Sequence, residues 1–341
     1  MKKFISILLL GAMSLSLAAC STADSDSSSL SSSGTIRIIC PYGVGGTADL
    51  IARKYALVAG SLFPDKTFIV ENMTGGDGFS AATYYSELNP STTDLLIYGL
   101  GVVYRHDLGT LYGTEIVDFD RNEILPIGVI DDRTWILYGT PGTTFEEVLE
   151  LAQTTGVKMS GGNALSDPHL ALGSLMALED GKVIVIPYDG GASQKKALTD
   201  GEVNVFVGTT QAAQEEVEAG TLVPILSFSE EPFEGFIGPD GNPIEVPSVG
   251  GAYKHTALNP GIDHTVAILP SGGFIATRVG ASEEWIAEME EVTKAVWASD
   301  EYSDWIEGIM LNKTEAYGLD AVQYLEEASE VAINAFEILS Q

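Results

Sequence analysis

Cysteine is nearly absent from this chain of 341 residues, which holds only Cys20 and Cys40. Cys20 closes an export segment described below, so Cys40 is the one thiol left to the body. That excludes an intramolecular disulfide and a cysteine-ligated metal. At the end of an apolar run, Cys40 reads as a small core residue. Cations are scarce too: 17 Lys and Arg face 48 Asp and Glu, a formal net charge of −31. Nucleic acid is thereby excluded as a partner, because phosphate binding rests on clustered Lys and Arg. The acidic surface also opposes long-range attraction of anions, so an anionic ligand has to be held by local dipoles. The four histidines, His106, His169, His255 and His264, lack zinc-ligand spacing. There is no Gly-x-Ser-x-Gly elbow to present a serine nucleophile. Asp240-Gly241-Asn242 resembles the start of a calcium loop but reads more simply as a turn. The expectation is a protein with no metal, no cofactor and no catalytic residues.

The first twenty residues set the compartment. Lys2 and Lys3 precede an apolar run over 4–17 that stops at Leu17-Ala18-Ala19-Cys20. The run is short for a transmembrane span, and a cysteine directly after Leu-Ala-Ala looks like a bacterial lipobox. Residues 1–19 are therefore expected to be a lipoprotein signal peptide, with Cys20 the lipidated first residue of an extracytoplasmic, membrane-anchored protein. Residues 20–34, mostly Ser, Thr, Asp and Gly, form a tether that cannot bury a core.

From Thr35 onward, short β-rich runs alternate with helical patterns, which predicts β-α units around a parallel sheet. Strands are expected over 36–40, 67–71, 95–98, 157–160, 183–187, 203–207 and 222–228. Helices are expected over 47–62, 79–88, 145–155, 168–178, 192–199 and 211–219. The spacing of Leu50, Ile51, Tyr55, Val58 and Leu62 follows the helical period. After Glu230 comes a Pro/Gly-rich stretch to Gly261, then strand-like runs at 265–269 and 274–278. Three helices follow, over 283–298, 302–310 and 320–339, with Ser282 and Asp320 as N-caps.

Five strand-to-helix junctions carry glycine: 43–46, 75–78, 160–163, 190–192 and 208–210. Glycine lets backbone N–H groups approach a ligand closely, and a helix start adds about half a positive charge. In a parallel sheet all five would lie at the carboxyl ends of strands, where open α/β folds bind ligands. The first, Gly43-x-Gly45-x-x-Ala48, also fits a dinucleotide fingerprint, with Glu71 placed as a ribose-binding acid. An export signal without twin arginines argues against such a cofactor, and an exported dinucleotide-dependent oxidoreductase is the alternative reading.

Taken in order, several motifs resemble the tripartite tricarboxylate transporter receptors, the Bug-type extracytoplasmic solute-binding proteins. They are Pro41-x-x-x-Gly45-Gly46-x-x-Asp49 with Arg53, Val70-Glu71-Asn72, Ser166 with His169, Pro187-Tyr188-x-Gly190-Gly191 and Gly201-Glu202-Val203. The resemblance implies a two-lobed type II periplasmic-binding-protein fold of the α/β class. It implies a small carboxylate ligand as partner and delivery to integral membrane transporter subunits by a monomer. Lobe 1 would take 35–137 plus about 229–341, and lobe 2 would take 138–228. The ligand-binding residues it implies are Tyr42, Val44, Gly45, Gly46 and Thr47, then Gly76, Gly78 and Phe79. Lobe 2 would add Gly161, Gly162, Asn163 and Ser166, with Tyr188, Gly190 and Gly191 nearby and Thr209 at the last junction. Asp49 is expected to cap its helix rather than touch ligand, with Arg53 as its i,i+4 partner. Arg105 and Arg133 are possible charge partners for a ligand. The family's Glu-Asn-Arg-Pro-Gly-Ala is here Glu71-Asn72-Met73-Thr74-Gly75-Gly76, followed by Asp77. One positive charge is lost and a negative one gained, which favours a smaller or mixed-charge acid over a simple tricarboxylate.

Overall fold

The computed structural model describes residues 34–188, 190–251 and 254–341. The signal peptide, the tether up to Ser33 and Cys20 lie outside the described residues. The β-rich runs assemble into two five-stranded sheets. The first contains β1 (Thr35–Cys40), β2 (Thr67–Asn72), β3 (Leu95–Gly99), β4 (Ile124–Asp132) and β12 (Gly272–Arg278), in the order β2-β1-β3-β12-β4. The second contains β5 (Trp135–Gly139), β6 (Val157–Gly161), β7 (Val183–Pro187), β8 (Val205–Thr209) and β9 (Val223–Phe228), in the order β7-β6-β8-β5-β9. A separate antiparallel hairpin joins β10 (Phe233–Ile237) to β11 (Pro243–Val246).

Neither sheet is purely parallel, which corrects the sequence-based expectation. β1 runs parallel to β2 and β3, and β6 parallel to β7 and β8. β12 is antiparallel to β3 and β4, and β5 is antiparallel to β8 and β9. The two antiparallel strands are those by which the chain enters each sheet from the other. β5 follows β4 after two residues, Arg133 and Thr134, and β12 begins where the chain returns from the second sheet. An entering strand starts at the face where the parallel strands end. Trp135 and Gly272 thus lie beside the carboxyl ends of β8 and β3, Trp135 in register with Thr209 and Gly273 with Gly99. The two crossings are joined by Arg133 N–H, which donates to the Ser271 carbonyl at 2.8 Å.

The helices are α1 (Thr47–Leu62), α2 (Phe79–Ser86), α3 (Leu100–Tyr112), α4 (Phe145–Thr154), α5 (Asp167–Leu178), α6 (Gly190–Thr199) and α7 (Gln214–Glu218). The last three are α8 (Glu283–Ala298), α9 (Asp300–Gly308) and α10 (Leu319–Leu339). Ser282 caps α8 as expected, accepting from Trp285 N–H at 3.2 Å. Asp320 does not cap α10, because it already lies in the first turn behind Gly318. The strand expected over 265–269 is a 3-10 turn at Thr265–Ala267, and β8 lies two residues later than expected. β4, β5, the hairpin and α3 carried no clear period. Pro126, Gly128 and two aspartates interrupt β4, and α3 is buried nearly all round, which erases the amphipathic signal.

Of three apolar clusters among the described residues, two stay with one sheet each and one runs through both. Leu96 and Phe274 of the first, Leu137 and Val207 of the second, and Leu108, Leu172 and Leu325 from α3, α5 and α10 belong to it. Each such side chain contributes about 1.5–3 kcal/mol by leaving water. On α10, Ala321, Ala328, Ala332 and Ala335 are buried, and these small side chains let the helix lie close to α3 and α5. Within that contact Ser329 Oγ donates to Asp107 Oδ2 at 2.5 Å.

Candidate functional site

A cavity of about 190 Å³ opens where the strand ends of both sheets face each other. Tyr42 comes from the end of β1, Gly99 and Gly101 from the junction of β3 and α3, and Gly272 and Gly273 from the start of β12. Arg133 and Trp135 come from the first crossing, and Ser166, Asp167 and Pro168 from the start of α5. Ala48, Asp77, Ile97 and Arg105 complete the wall. Gly272 is obligatory, since it has φ +147° and a Cβ there would stand 2.1 Å from the Asp131 carbonyl.

Two arginines border the cavity. Arg133 Nε donates to Asp131 Oδ2 at 2.5 Å. Burial works against the guanidinium charge, but the adjacent Asp131 carboxylate outweighs it and raises the Arg133 pKa. Burial likewise pushes the Asp131 carboxyl up, although Arg133 holds it back. Asp131 Oδ1 is buried without a hydrogen-bond partner, so the pair meets through one oxygen only. Arg105 makes more contacts, although its Nε–H is buried without an acceptor. It donates to the Gly76 and Asp77 carbonyls at 3.1 and 3.3 Å and to Glu115 Oε2 at 2.9 Å. Its guanidinium lies over the Phe79 ring at 4.4 Å. Trp135, 9% exposed, keeps its Nε1–H buried with no acceptor, a donor left for whatever enters.

Asp167 differs from every other charge at the site. Its carboxylate lies against the first turn of α3, where a Cβ on Gly101 would come within 2.7 Å of Oδ1. Gly99 caps α3 with no side-chain hydrogen bond of its own, so the positive end of that helix faces Asp167. Burial pushes the Asp167 carboxyl up to about 7. A hydrogen bond from its own N–H, then Arg133, oppose the rise; Asp77 adds to it and Arg105 reduces it. Burial and the same two aspartates also raise the Tyr42 pKa, keeping the phenol protonated.

Of the residues singled out from the sequence, Tyr42, Ala48, Asp77, Arg105, Arg133 and Ser166 line this cavity. The Gly43–Gly46 turn is largely closed by its own contacts. Gly45 N–H donates to Asp49 Oδ2 at 2.9 Å, and Gly46 N–H donates to the Gly43 carbonyl at 3.2 Å. Asp49 also accepts from Arg53 Nε at 3.0 Å and from Asn72 Nδ2 at 2.7 Å. Val44 points outward at 76% exposure. Thr47 Oγ1 donates across to Gln211 Oε1, just after β8, at 3.2 Å. Gly76 and Gly78 take positive φ in the tight turn before α2, and Phe79 is buried against Phe119, ring centroids 5.4 Å apart.

In the second sheet, the Gly161 carbonyl accepts from Tyr188 N–H at 2.8 Å. Gly162 is exposed, and Asn163 folds back to accept from Leu165 N–H at 2.7 Å. Ser166 Oγ donates to the Asn163 carbonyl at 2.9 Å. Tyr188 reaches Glu202 with its hydroxyl, Gly190 and Gly191 open α6 on the surface, and the Thr209 carbonyl accepts from Tyr138 at 3.0 Å. None of these except Ser166 is in the cavity wall. Burial lowers the His169 pKa, and its Nδ1 meets the Ala164 carbonyl at 2.7 Å. Sequence reasoning missed Asp167, Trp135 and Gly101. The first stands beside Ser166 in plain view, but its meeting with α3 depends on a helix the sequence concealed.

Among the described residues no cluster of His, Cys, Asp or Glu is arranged to hold a metal, and no helix is long and apolar enough to cross a membrane. No protein-family model matches the chain, and no curated protein matches it. Solved structures do. Rpa4515 of R. palustris with adipate has a TM-score of 0.71 at 18% identity, covering 90% of this chain and 97% of its own. MatC of Rhodopseudomonas palustris with bound malate has a TM-score of 0.67 at 16% identity, covering 89% and 98%. A TctC solute binding protein from Polaromonas has 0.64 at 18%, covering 90% and 98%. At such identities the likeness establishes the fold, which is the two-lobed α/β architecture of type II periplasmic binding proteins.

Proposed function

We propose that this chain is the extracytoplasmic solute receptor of a tripartite tricarboxylate-type transporter, a lipoprotein held at Cys20. In this reading it captures a small carboxylate between two lobes, one on each sheet, and hands it to integral membrane subunits. In this reading the lobes divide near Arg133 and Thr134 on the way out and before Gly272 on the return, in place of the divisions after residue 137 and near residue 229 expected from the sequence. The observation that carries the reading is the cavity between the two sheets, with Arg133, the Trp135 Nε1–H and the start of α3 on its wall. A guanidinium beside an unspent donor suits a carboxylate. The volume, about that of six liquid waters, suits a small metabolite. The adipate and malate of two similarly folded structures are of that size and class. Thr47 to Gln211 is a contact that closure of the lobes would make and opening would break, which is how ligand would bias the two states.

The oxidoreductase alternative loses its footing on the same page. The first glycine turn spends Gly45 N–H on Asp49, and the cavity is far smaller than a dinucleotide. A thermal-shift screen of mono-, di- and tricarboxylates and amino acids, with nicotinamide dinucleotides as controls, tests the proposal. Stabilisation by at least one carboxylate-bearing compound and by no dinucleotide is expected. Stabilisation by the dinucleotides alone would overturn it.

A further inference from the structure

The charges around the cavity do not balance in favour of an anion. Arg105 is committed to Glu115, to the Gly76 and Asp77 carbonyls and, at 3.5 Å, to the Asp77 carboxylate. Arg133 is paired with Asp131 through one oxygen. Asp167 makes no ion pair and no hydrogen bond to another side chain among the described residues, and its carboxylate lies on the cavity wall. A plain dicarboxylate entering here would gain Arg133 at one end and meet Asp167, which holds no cation in an ion pair and repels a carboxylate once it ionises above about pH 7, with Asp77 beside it. Like charges facing each other in a partly desolvated cleft are costly, and a site rejects a competitor most effectively by such a mismatch. A ligand with one carboxylate and one ammonium has no such conflict. It satisfies Arg133 and the Trp135 donor at one end and Asp167 at the other.

Resting on the receptor reading above, we propose that Asp167 makes this cleft selective for small amino-carboxylates, with the ligand carboxylate at Arg133 and its ammonium at Asp167, over plain di- and tricarboxylates. Asp167 is the specificity-determining residue, and Gly101 gives it the room to stand over α3.

Isothermal titration of the full chain decides the matter with matched probes. Succinate, glutarate and adipate are compared with the ω-amino acids of the same chain lengths and with the neutral α-amino acids. The wild type is expected to bind at least one amino acid about tenfold or more tightly than the dicarboxylate of its length. Asp167→Asn keeps the shape and removes the charge, so it is expected to lose that preference and to gain affinity for the dicarboxylate. Asp167→Ala reads the same change should the new amide itself contact ligand, and circular dichroism of both variants reports that they fold. Wild-type amino-acid affinity is further expected to rise as pH passes through about 7, and that rise to vanish in Asp167→Asn. The groups facing Asp167 are Arg133 on the crossing, Arg105 and Tyr104 on α3, Asp77 before α2 and Tyr42 after β1. Dicarboxylates bound as tightly as every amino acid, with no change on Asp167→Asn, would overturn the selectivity and leave the receptor reading standing. Binding of neither class by the wild type would overturn both.

Discussion

Asp167 shows how one side chain sets both stability and selectivity. Its carboxyl has a folded-state pKa near 7 against an ordinary value of 3.8, chiefly through burial. Stability from this group is therefore complete below the ordinary carboxylate range and is lost as pH rises through about 7, because the unfolded chain ionises first. Asp167→Asn cannot ionise and is expected to melt higher than the wild type. The gap should widen from pH 3.8 to about 7 and stay flat above, read by melting in the absence of ligand. A gap that is constant across that range would show that Asp167 keeps an ordinary pKa in the fold. Asp49 is the contrast, since burial raises its pKa but Arg53, Gly45 N–H and Asn72 together bring it below the ordinary value. The sequence revealed Asp49 and its partner because i,i+4 spacing is local. It did not reveal Asp167, whose environment comes from residues 66 and 34 positions away at Gly101 and Arg133.

Helix glycines divide by what stands beside them. Gly60, in α1, has nothing within 4 Å of an added Cβ, so Gly60→Ala is expected to raise stability by roughly 0.5–1 kcal/mol through helix propensity. Gly101, the second residue of α3, would press a methyl against Asp167 Oδ1. Gly101→Ala is expected to yield no such gain and to weaken ligand binding about tenfold, on the order of 1.4 kcal/mol, by displacing that carboxylate. Denaturant melts and titrations of the two variants side by side check this; equal gains with unchanged affinity would place Asp167 elsewhere. Elements with a clear period, such as α1, α8 and most of the parallel strands, were legible to within a residue or two. α3 was not, because a helix buried nearly all round shows no polar face. The segment at 265–269 has the β-branched composition of a strand, but its chain turns at Thr265–Ala267.

At the scale of the whole molecule, two lobes with an apolar cluster each share a third. α10 lies against both α3 and α5, and the apolar cluster runs unbroken from the first sheet to the second. Scanning calorimetry is therefore expected to give a single unfolding transition for both lobes, since neither can lose α10 and keep its side of the shared cluster buried. Two resolved transitions would show that the lobes are independent. Net charge acts at this scale as well: at −31 the surface supplies no attraction for a carboxylate, and the cleft alone must do so.

Composition and local pattern determined the class of this protein from the sequence by itself. They supplied alternating strands and helices, glycine at the strand ends, an acidic body with too few cysteines for a disulfide, and an expected lipid anchor. These depend on neighbours in the chain, where period and capping act. Which glycine turn faces the cleft, and which is closed by its own carboxylate, was decided only by tertiary structure. Two antiparallel entering strands bring Trp135 and Gly272 to the strand ends, and α5 brings Asp167 over α3. A charge takes its meaning from what surrounds it in space, and no spacing along the chain records that a helix start and a carboxylate 66 residues later will meet.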